Sequence, residues 1–254
     1  MPKLAAFAPA TQPSAAPKRL TELRVKLFAD GADQAAMAGL YANPLIQGFT
    51  TNPTLMRKAG IADYQAFAKD ILSVIRDRPV SFEVIADEFV DMERQAHLIA
   101  GWGSNVYVKI PITNTRAESS GNLLRHLSRH GVKLNVTALM TLGQVREASE
   151  ALAGGPASSI SVFAGRIADT GCDPVPMMAA AVKLLQPHPQ MELIWASPRE
   201  LLNVFQADAI GCHIITVTTD ILNKLSAVGK DLAAYSLDTV RMFFNDAKSS
   251  GLVL

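Results

Sequence analysis

The chain is short of the features that most readily betray a function. It has two cysteines, Cys172 and Cys212, with neither CxxC nor metal-ligand spacing between them. That excludes a disulfide scaffold and a thiolate metal centre, and a reduced, cytoplasmic setting is the simplest reading. Charge of either sign is not in excess: 24 basic residues against 23 acidic ones leave a net charge of +1. There is then no electrostatic footprint for nucleic acid or an acidic membrane. No apolar run approaches the ~18 residues of a membrane helix. Neither GxGxxG nor a Walker sequence occurs, so no Gly-rich loop is available to cradle a nucleotide.

What is present is a core and an alternation. Hydrophobic residues make up 49% of the 254-residue chain, which suits one large domain. The opening segment, "MPKLAAFAPATQPSAAPKR", is rich in Ala and Pro, and residues 1–20 read as a flexible arm. Beyond it, strand-like apolar runs alternate with segments of helical periodicity. The expected strands are Val25–Asp30, Ile46–Thr51, Val80–Ile85, Val106–Ile110, Lys133–Thr137, Ile160–Phe163, Leu193–Ala196 and Ile214–Val217. Between them "ADYQAFAKDILSVIRD" places Tyr64, Phe67, Ile71, Val74 and Ile75 on one helical face. "AESSGNLLRHLSRHG" ends on Gly131, a good helix C-cap. "SLDTVRMFFNDAKSSG" opens with a Ser capping signal and forms one additional helix at the C-terminus. Eight strands alternating with helices imply an α/β fold, a (β/α)₈ TIM barrel spanning residues 21–254 with that last helix. A doubly wound open sheet is the alternative.

Chemistry in such a barrel sits at the C-terminal strand ends. Polar groups out of place in a core gather there. They are Asp30 on the first strand, Thr50 and Asn52 after the second, Glu83 in the middle of the third, and Lys109 on the fourth. Asn135 and Thr137 lie on the fifth, Ser161 and Arg166 on or after the sixth, and Ser197 and Arg199 after the seventh. A lone strand lysine most often packs its stem and lets its ammonium reach solvent. The sharper reading is a Schiff-base nucleophile: an amine in an apolar barrel has its charged form disfavoured and can attack a ketone. Asp30 and Glu83, carboxylates on two other strands, suit a lysine that must exchange protons. For the others the plain readings are clear. Asp30 could cap the next helix. Asn52 before Pro53 is turn chemistry. Arg166 and Arg199 could form surface ion pairs, or could hold a phosphate against a helix N-terminus. His126 and His130, four apart, have no Glu or further His nearby in sequence to complete a metal site and read as a solvated face.

The set "KLFADGAD", "GFTTNPTLM", "SFEVI", "VYVKIPIT", "KLNVTALMT", "SVFAGRIAD" and "ASPRELLN", from about Val25 to Leu225, resembles the transaldolase family in its short, single-barrel form. The resemblance implies a Schiff-base lysine on the fourth strand, Lys109, and a dihydroxyacetone unit moved from a ketose phosphate to an aldose phosphate. It implies that Asp30 moves the C4 hydroxyl proton, and that Glu83 with Thr137 positions a water. Asn52 and Asn135 would hold hydroxyls of the three-carbon unit, with Thr50 and Ser161 lining the pocket. Arg166 and Arg199, with Ser197, would grip phosphate. No metal or organic cofactor is implied, and neither nucleic acid nor membrane is expected as a partner. Assembly into a homo-oligomer is expected, with the last helix packing on a neighbour.

The family also contains fructose 6-phosphate aldolases, which resemble this chain but tend to carry Gln at the Glu83 position and Tyr at the Phe163 position. A Tyr hydroxyl could protonate an enamine in water, and Phe163 could not. Transfer is therefore expected over release, with a sugar-phosphate lyase as the alternative and a non-catalytic sugar-phosphate-binding barrel ranked below both. Three departures from the family pattern stand out: Gly31 after Asp30, Pro198 between Ser197 and Arg199, and the polar "NTRAESSGN" after Lys109.

Overall fold

The computed structural model describes residues 18–251. Eight parallel strands close in sequence order into a barrel: β1 (Lys26–Asp30), β2 (Ile46–Thr50), β3 (Val80–Glu83), β4 (Val106–Pro111), β5 (Leu134–Leu139), β6 (Ser158–Val162), β7 (Met191–Trp195) and β8 (Ile214–Thr218). Helices α1 (Gln34–Tyr41), α2 (Pro53–Lys58), α3 (Tyr64–Val74), α4 (Phe89–Ala100), α5 (Gly121–Arg129), α6 (Leu142–Leu152), α7 (Ala164–Asp169), α8 (Val175–Leu185), α9 (Leu202–Ala209) and α10 (Thr219–Leu222) alternate with them. This is the expected (β/α)₈ barrel. It forms one compact unit, Leu23–Lys224. The described residues on either side belong to a second unit, which contains α11 (Leu232–Ser250). Of the 1–20 arm, residues 1–17 lie outside the described residues.

The strands are as apolar as a sheet covered by helices requires. Phe49, Phe82, Val108, Ile110, Val136, Leu139, Ile160, Leu193 and Ile215 are all fully buried. Two elements differ from expectation. On α3 the buried face is Phe67, Ala68 and Ile71, while Val74 is 45% exposed. The helix ends there, and Ile75 turns inward from an extended backbone, so the helical spacing no longer applies to that pair. Helix α11 starts a turn earlier than Ser236, because the Asp231 side chain takes the Ala234 N–H as N-cap. Its large apolar side chains, including Tyr235, Val240, Phe243 and Phe244, are exposed.

The register matters most for function. Parallel neighbours at equal level point the same way. Glu83 lies opposite Lys109, and Lys109 opposite Asn135, so three strands send those side chains inward in one row. Asp30 lies opposite Thr50 on the next pair. Glu83 closes β3 rather than sitting mid-strand: the Ile85 and Ala86 N–H groups beyond it donate to the Gln95 side chain of α4. The polar segment after Lys109 also has a structural use. Arg116 makes a bidentate pair with Glu88 at 2.7 and 2.9 Å, and Thr115 bonds Asp87, tying the β4–α5 loop to the β3–α4 loop. Those are the loops that follow the Glu83 and Lys109 strands.

Candidate active site

A cavity of about 430 Å³ opens at the C-terminal ends of the strands. Asp30, Thr50, Asn52, Glu83, Lys109, Thr137, Ser161, Phe163, Arg166, Ser197 and Arg199 line it. Every expected site residue but Asn135 therefore meets there. Lys109 is 6% exposed, with its ammonium at the cavity wall. Nζ lies 3.0 Å from Glu83 Oε2 and donates to Thr51 O at 2.9 Å. The lysine is thus buried but not isolated. A carboxylate within hydrogen-bond reach can take its proton directly, which differs from an amine activated by burial alone.

Asp30 does not cap α1. That task belongs to Asp33, whose side chain accepts from Ala36 N at 2.7 Å. Asp30 instead accepts from Thr50 Oγ1 at 2.7 Å, deep enough that burial pushes its carboxyl above the usual carboxylate range. Lys109 and the Thr50 hydrogen bond pull it partway back. Asn52 does cap α2, accepting from Leu55 N at 3.0 Å through Oδ1, and still lines the cavity. Its amide nitrogen has no protein partner among the described residues and is left for a ligand hydroxyl. Thr137 is 2% exposed, lines the cavity, and its hydroxyl has no hydrogen-bond partner among the described residues. A buried polar group of this kind is normally satisfied, so the site offers it to water or substrate. Asn135 is fully buried beneath the cavity lining. Its amide bonds Ser81 at 3.0 Å and Ser161 at 2.7 Å, so it orients the Ser161 hydroxyl instead of facing the cavity.

At the rim the two arginines differ. Arg199 is held by Asp169, with Nε donating at 2.9 Å, and by Ser197 Oγ at 2.9 Å. The guanidinium keeps the Asp169 carboxyl below its usual range. Arg166 stands over the Phe163 ring at 5.7 Å, and its guanidinium makes no ion pair among the described residues. Backbone geometry here is unusual. Ala138 (φ 66°) and Ser197 (φ 59°) are non-glycine residues in the left-handed region, and both line the cavity. Such strain persists only where surroundings impose it, and it gathers at functional sites. Gly165 permits the arrangement: a Cβ there would lie 1.6 Å from Ser197 O. Gly165→Ala is therefore expected to displace Ser197 and Arg199 and raise KM for a phosphorylated substrate by roughly tenfold to a hundredfold. Steady-state kinetics would show it, and an unchanged KM would mean that this loop does not hold phosphate.

Sequence comparison gives these residues a family. The family model described as "Transaldolase/Fructose-6-phosphate aldolase" matches residues 27–253. The chain belongs to the transaldolase/fructose-6-phosphate aldolase family. It is similar to "Probable transaldolase" of Methanococcus maripaludis, 33% identical over 202 residues, or 79% of this chain and 89% of that one. It is also similar to "Probable transaldolase 2" of Listeria monocytogenes, 34% identical over 79% of this chain and 88% of that one. Among solved structures, a mandelate oxidase mutant aligns with a TM-score of 0.53 at 13% identity, over 86% of this chain and 75% of that one; this likeness concerns the barrel alone. The protein is thus an enzyme of transaldolase type. None of its described helices is long and apolar enough to cross a membrane.

Two residues of this transaldolase-type site escape sequence reading. Thr216 of β8 also lines the cavity, and its hydroxyl makes a very short contact with that of Thr50, extending the chain Asp30–Thr50–Thr216. Tyr64 reads as part of a helix's apolar face. Its hydroxyl in fact donates to Glu83 O at 2.9 Å and accepts from Glu83 N at 2.8 Å. Ring contacts with Trp102 at 5.4 Å and Phe82 at 6.2 Å fix it, and burial pushes its phenol well up. Tyr64 thus completes the backbone bonding of Glu83 where β3 ends. Tyr64→Phe is expected to cost about 1–3 kcal/mol of stability by leaving those groups unpaired. It should also lower kcat more than it raises KM. Urea unfolding with parallel kinetics would check both, and a variant unchanged in stability would mean that solvent satisfies Glu83.

Proposed function

We propose that the enzyme transfers a dihydroxyacetone unit from a ketose phosphate to an aldose phosphate through a Schiff base on Lys109. The observation that carries this reading is the buried Lys109–Glu83 pair at 3.0 Å inside a polar cavity that also holds Asp30. In this reading Glu83 takes a proton from the Lys109 ammonium, and the free amine attacks the C2 carbonyl. Water, positioned by Glu83 and Thr137, leaves as the iminium forms. Asp30 removes the C4 hydroxyl proton. The C3–C4 bond breaks, its electrons pass into the iminium, and an aldose phosphate departs from the enamine. An acceptor aldehyde then adds at C3, and Asp30 returns its proton to the new alkoxide. Addition of water to the iminium frees Lys109 and the product ketose.

Asn52 and Ser161, the latter oriented by Asn135, would hold hydroxyls of the three-carbon unit, with Thr50 setting the Asp30 carboxylate. Arg166 and Arg199 with Ser197 would hold the phosphate. No metal or organic cofactor enters any of these steps. The substrates that fit are sedoheptulose 7-phosphate or fructose 6-phosphate as donor and erythrose 4-phosphate or glyceraldehyde 3-phosphate as acceptor, the sugars of the pentose phosphate pathway. Phe163 at the cavity wall supports transfer over release, since it has no proton for the enamine. A cytoplasmic homo-oligomer belongs to the same proposal, with the exposed Tyr235, Val240, Phe243 and Phe244 of α11 as its supporting feature.

The test is product analysis by mass spectrometry with fructose 6-phosphate, with and without erythrose 4-phosphate. Sedoheptulose 7-phosphate formed only with the acceptor is the expected result. Rapid release of free dihydroxyacetone without acceptor would make the enzyme a lyase and remove the argument from Phe163.

A further inference from the structure

Away from the catalytic cavity, helices α4 and α5 bring together three ligand-bearing side chains that the sequence separates. Glu93 and His97 stand four apart on α4, hence on one face. His126 comes from α5. His126 is exposed, as its spacing suggests, but it is not without a ligand neighbour: its Nε2 lies 3.1 Å from Glu93 Oε1. One ligand atom from each of Glu93, His97 and His126 lies within 4.8 Å of the others. Among the described residues no other group of three His, Cys, Asp or Glu meets that condition.

We propose that Glu93, His97 and His126 form a binding site for a divalent transition-metal ion, with zinc the natural occupant. The donor set argues for the class. Imidazole favours zinc, copper and nickel, whereas magnesium and calcium prefer a shell of oxygens. Zinc bonds of about 2.0–2.2 Å place neighbouring ligand atoms roughly 3.3 Å apart in a tetrahedron. The 3.1 Å Glu93–His126 separation is close to that, and the third ligand atom, from His97, lies within 4.8 Å of both. The His130 ring packs on His126 with 4.3 Å between centroids, and His130 Nδ1 is fixed to His126 O at 2.8 Å. This limits the rotation of His126 before any ion arrives. A shallow hollow of about 280 Å³ beside Glu93 and His126, floored by Phe89 and Leu123, leaves room for water in a fourth position.

The consequence is mechanical. A metal here staples α4 to α5, the helices that follow the Glu83 and Lys109 strands. Binding restricted to the folded state raises thermal stability with the logarithm of free ligand concentration once that exceeds Kd. It does not depend on the proposed transfer chemistry, and the readout below uses no activity.

The experiment is calorimetric titration of ZnCl₂ into tag-free, full-length protein in a non-chelating buffer, with melting curves at each concentration. One zinc per chain and a melting temperature that climbs with zinc, reversed by EDTA and absent with MgCl₂, are expected. His97→Ala and His126→Ala, with far-UV circular dichroism unchanged, should each bind zinc weaker by roughly tenfold or more. Absence of saturable binding in the wild type, or binding unchanged in both variants, would overturn the proposal.

Discussion

Lys109→Met is expected to lower kcat/KM by a factor on the order of 10⁵–10⁶, the loss seen when a covalent nucleophile is removed from a unit that acts together. Methionine keeps the volume of the lysine stem within the strand. It removes the one primary amine among the described residues that line the cavity, the group that can form an imine with a ketone. The same change takes the cation away from Glu83, 3.0 Å distant, and leaves that carboxylate in a mostly buried position. Stability should fall as well, so a dead variant alone would not distinguish chemistry from folding. The double variant Lys109→Met with Glu83→Gln separates them. It should melt closer to the wild type than the single variant does, because a neutral amide replaces the orphaned charge. Its activity should stay lost. Recovery of turnover in either variant would end the covalent reading.

Asp30→Asn is expected to separate stability from catalysis in the opposite direction. Activity should drop by roughly 10²–10⁴, the contribution of a positioned acid–base group. Stability should hold or rise. Burial, the largest influence on Asp30, raises its carboxyl above the unfolded value despite Lys109 and Thr50. A carboxyl raised in the folded state binds its proton more tightly there than in the unfolded chain. Its contribution is therefore present in acid, below the unfolded value, and is lost as pH rises through the folded value. At neutral pH the wild type carries the cost of a buried charge, and the Asn variant does not. The melting temperatures of the two should converge in acid and separate towards neutrality, with the variant above. By the same shift the acid limb of wild-type kcat/KM should lie above the ordinary carboxylate range. A variant less stable than wild type at neutral pH would mean that the Lys109 attraction outweighs burial at this site.

Much of the fold is legible in the sequence itself. Strands rich in Val and Ile, spaced by helical segments, leave few folds open, and the eight strands lie where their apolar runs lie. Polar residues near the C-terminal strand ends, read together, mark the cavity, because barrel closure brings those ends to one place. That Glu83 would serve Lys109 is readable from their two strands, and the register that sets them side by side comes with barrel closure. The rest depends on contacts that no local pattern encodes. Asn135 faces inward as its strand position demands, yet Ser81 and Ser161 occupy its amide before a ligand could. Tyr64 follows a helical spacing that fits packing, and only the approach of α3 to the end of β3 gives its hydroxyl a task. Arg199 reads as a surface ion pair or a phosphate group; it pairs with Asp169 and also lines the cavity rim, a double position that only the folded loop reveals. His126 is exposed as it reads, but its neighbours Glu93 and His97 lie on another helix and so escape a reading of its own segment.

Everything in the proposed reaction depends on Lys109 becoming covalently joined to substrate. The most direct measurement is reductive trapping: fructose 6-phosphate without acceptor, then sodium borohydride, then intact mass and peptide mapping. One reduced three-carbon adduct per chain is expected, on the peptide that carries Lys109, and none in Lys109→Met. An adduct on a different lysine, or no adduct from an enzyme that turns over in the same buffer, would contradict covalent attachment at Lys109.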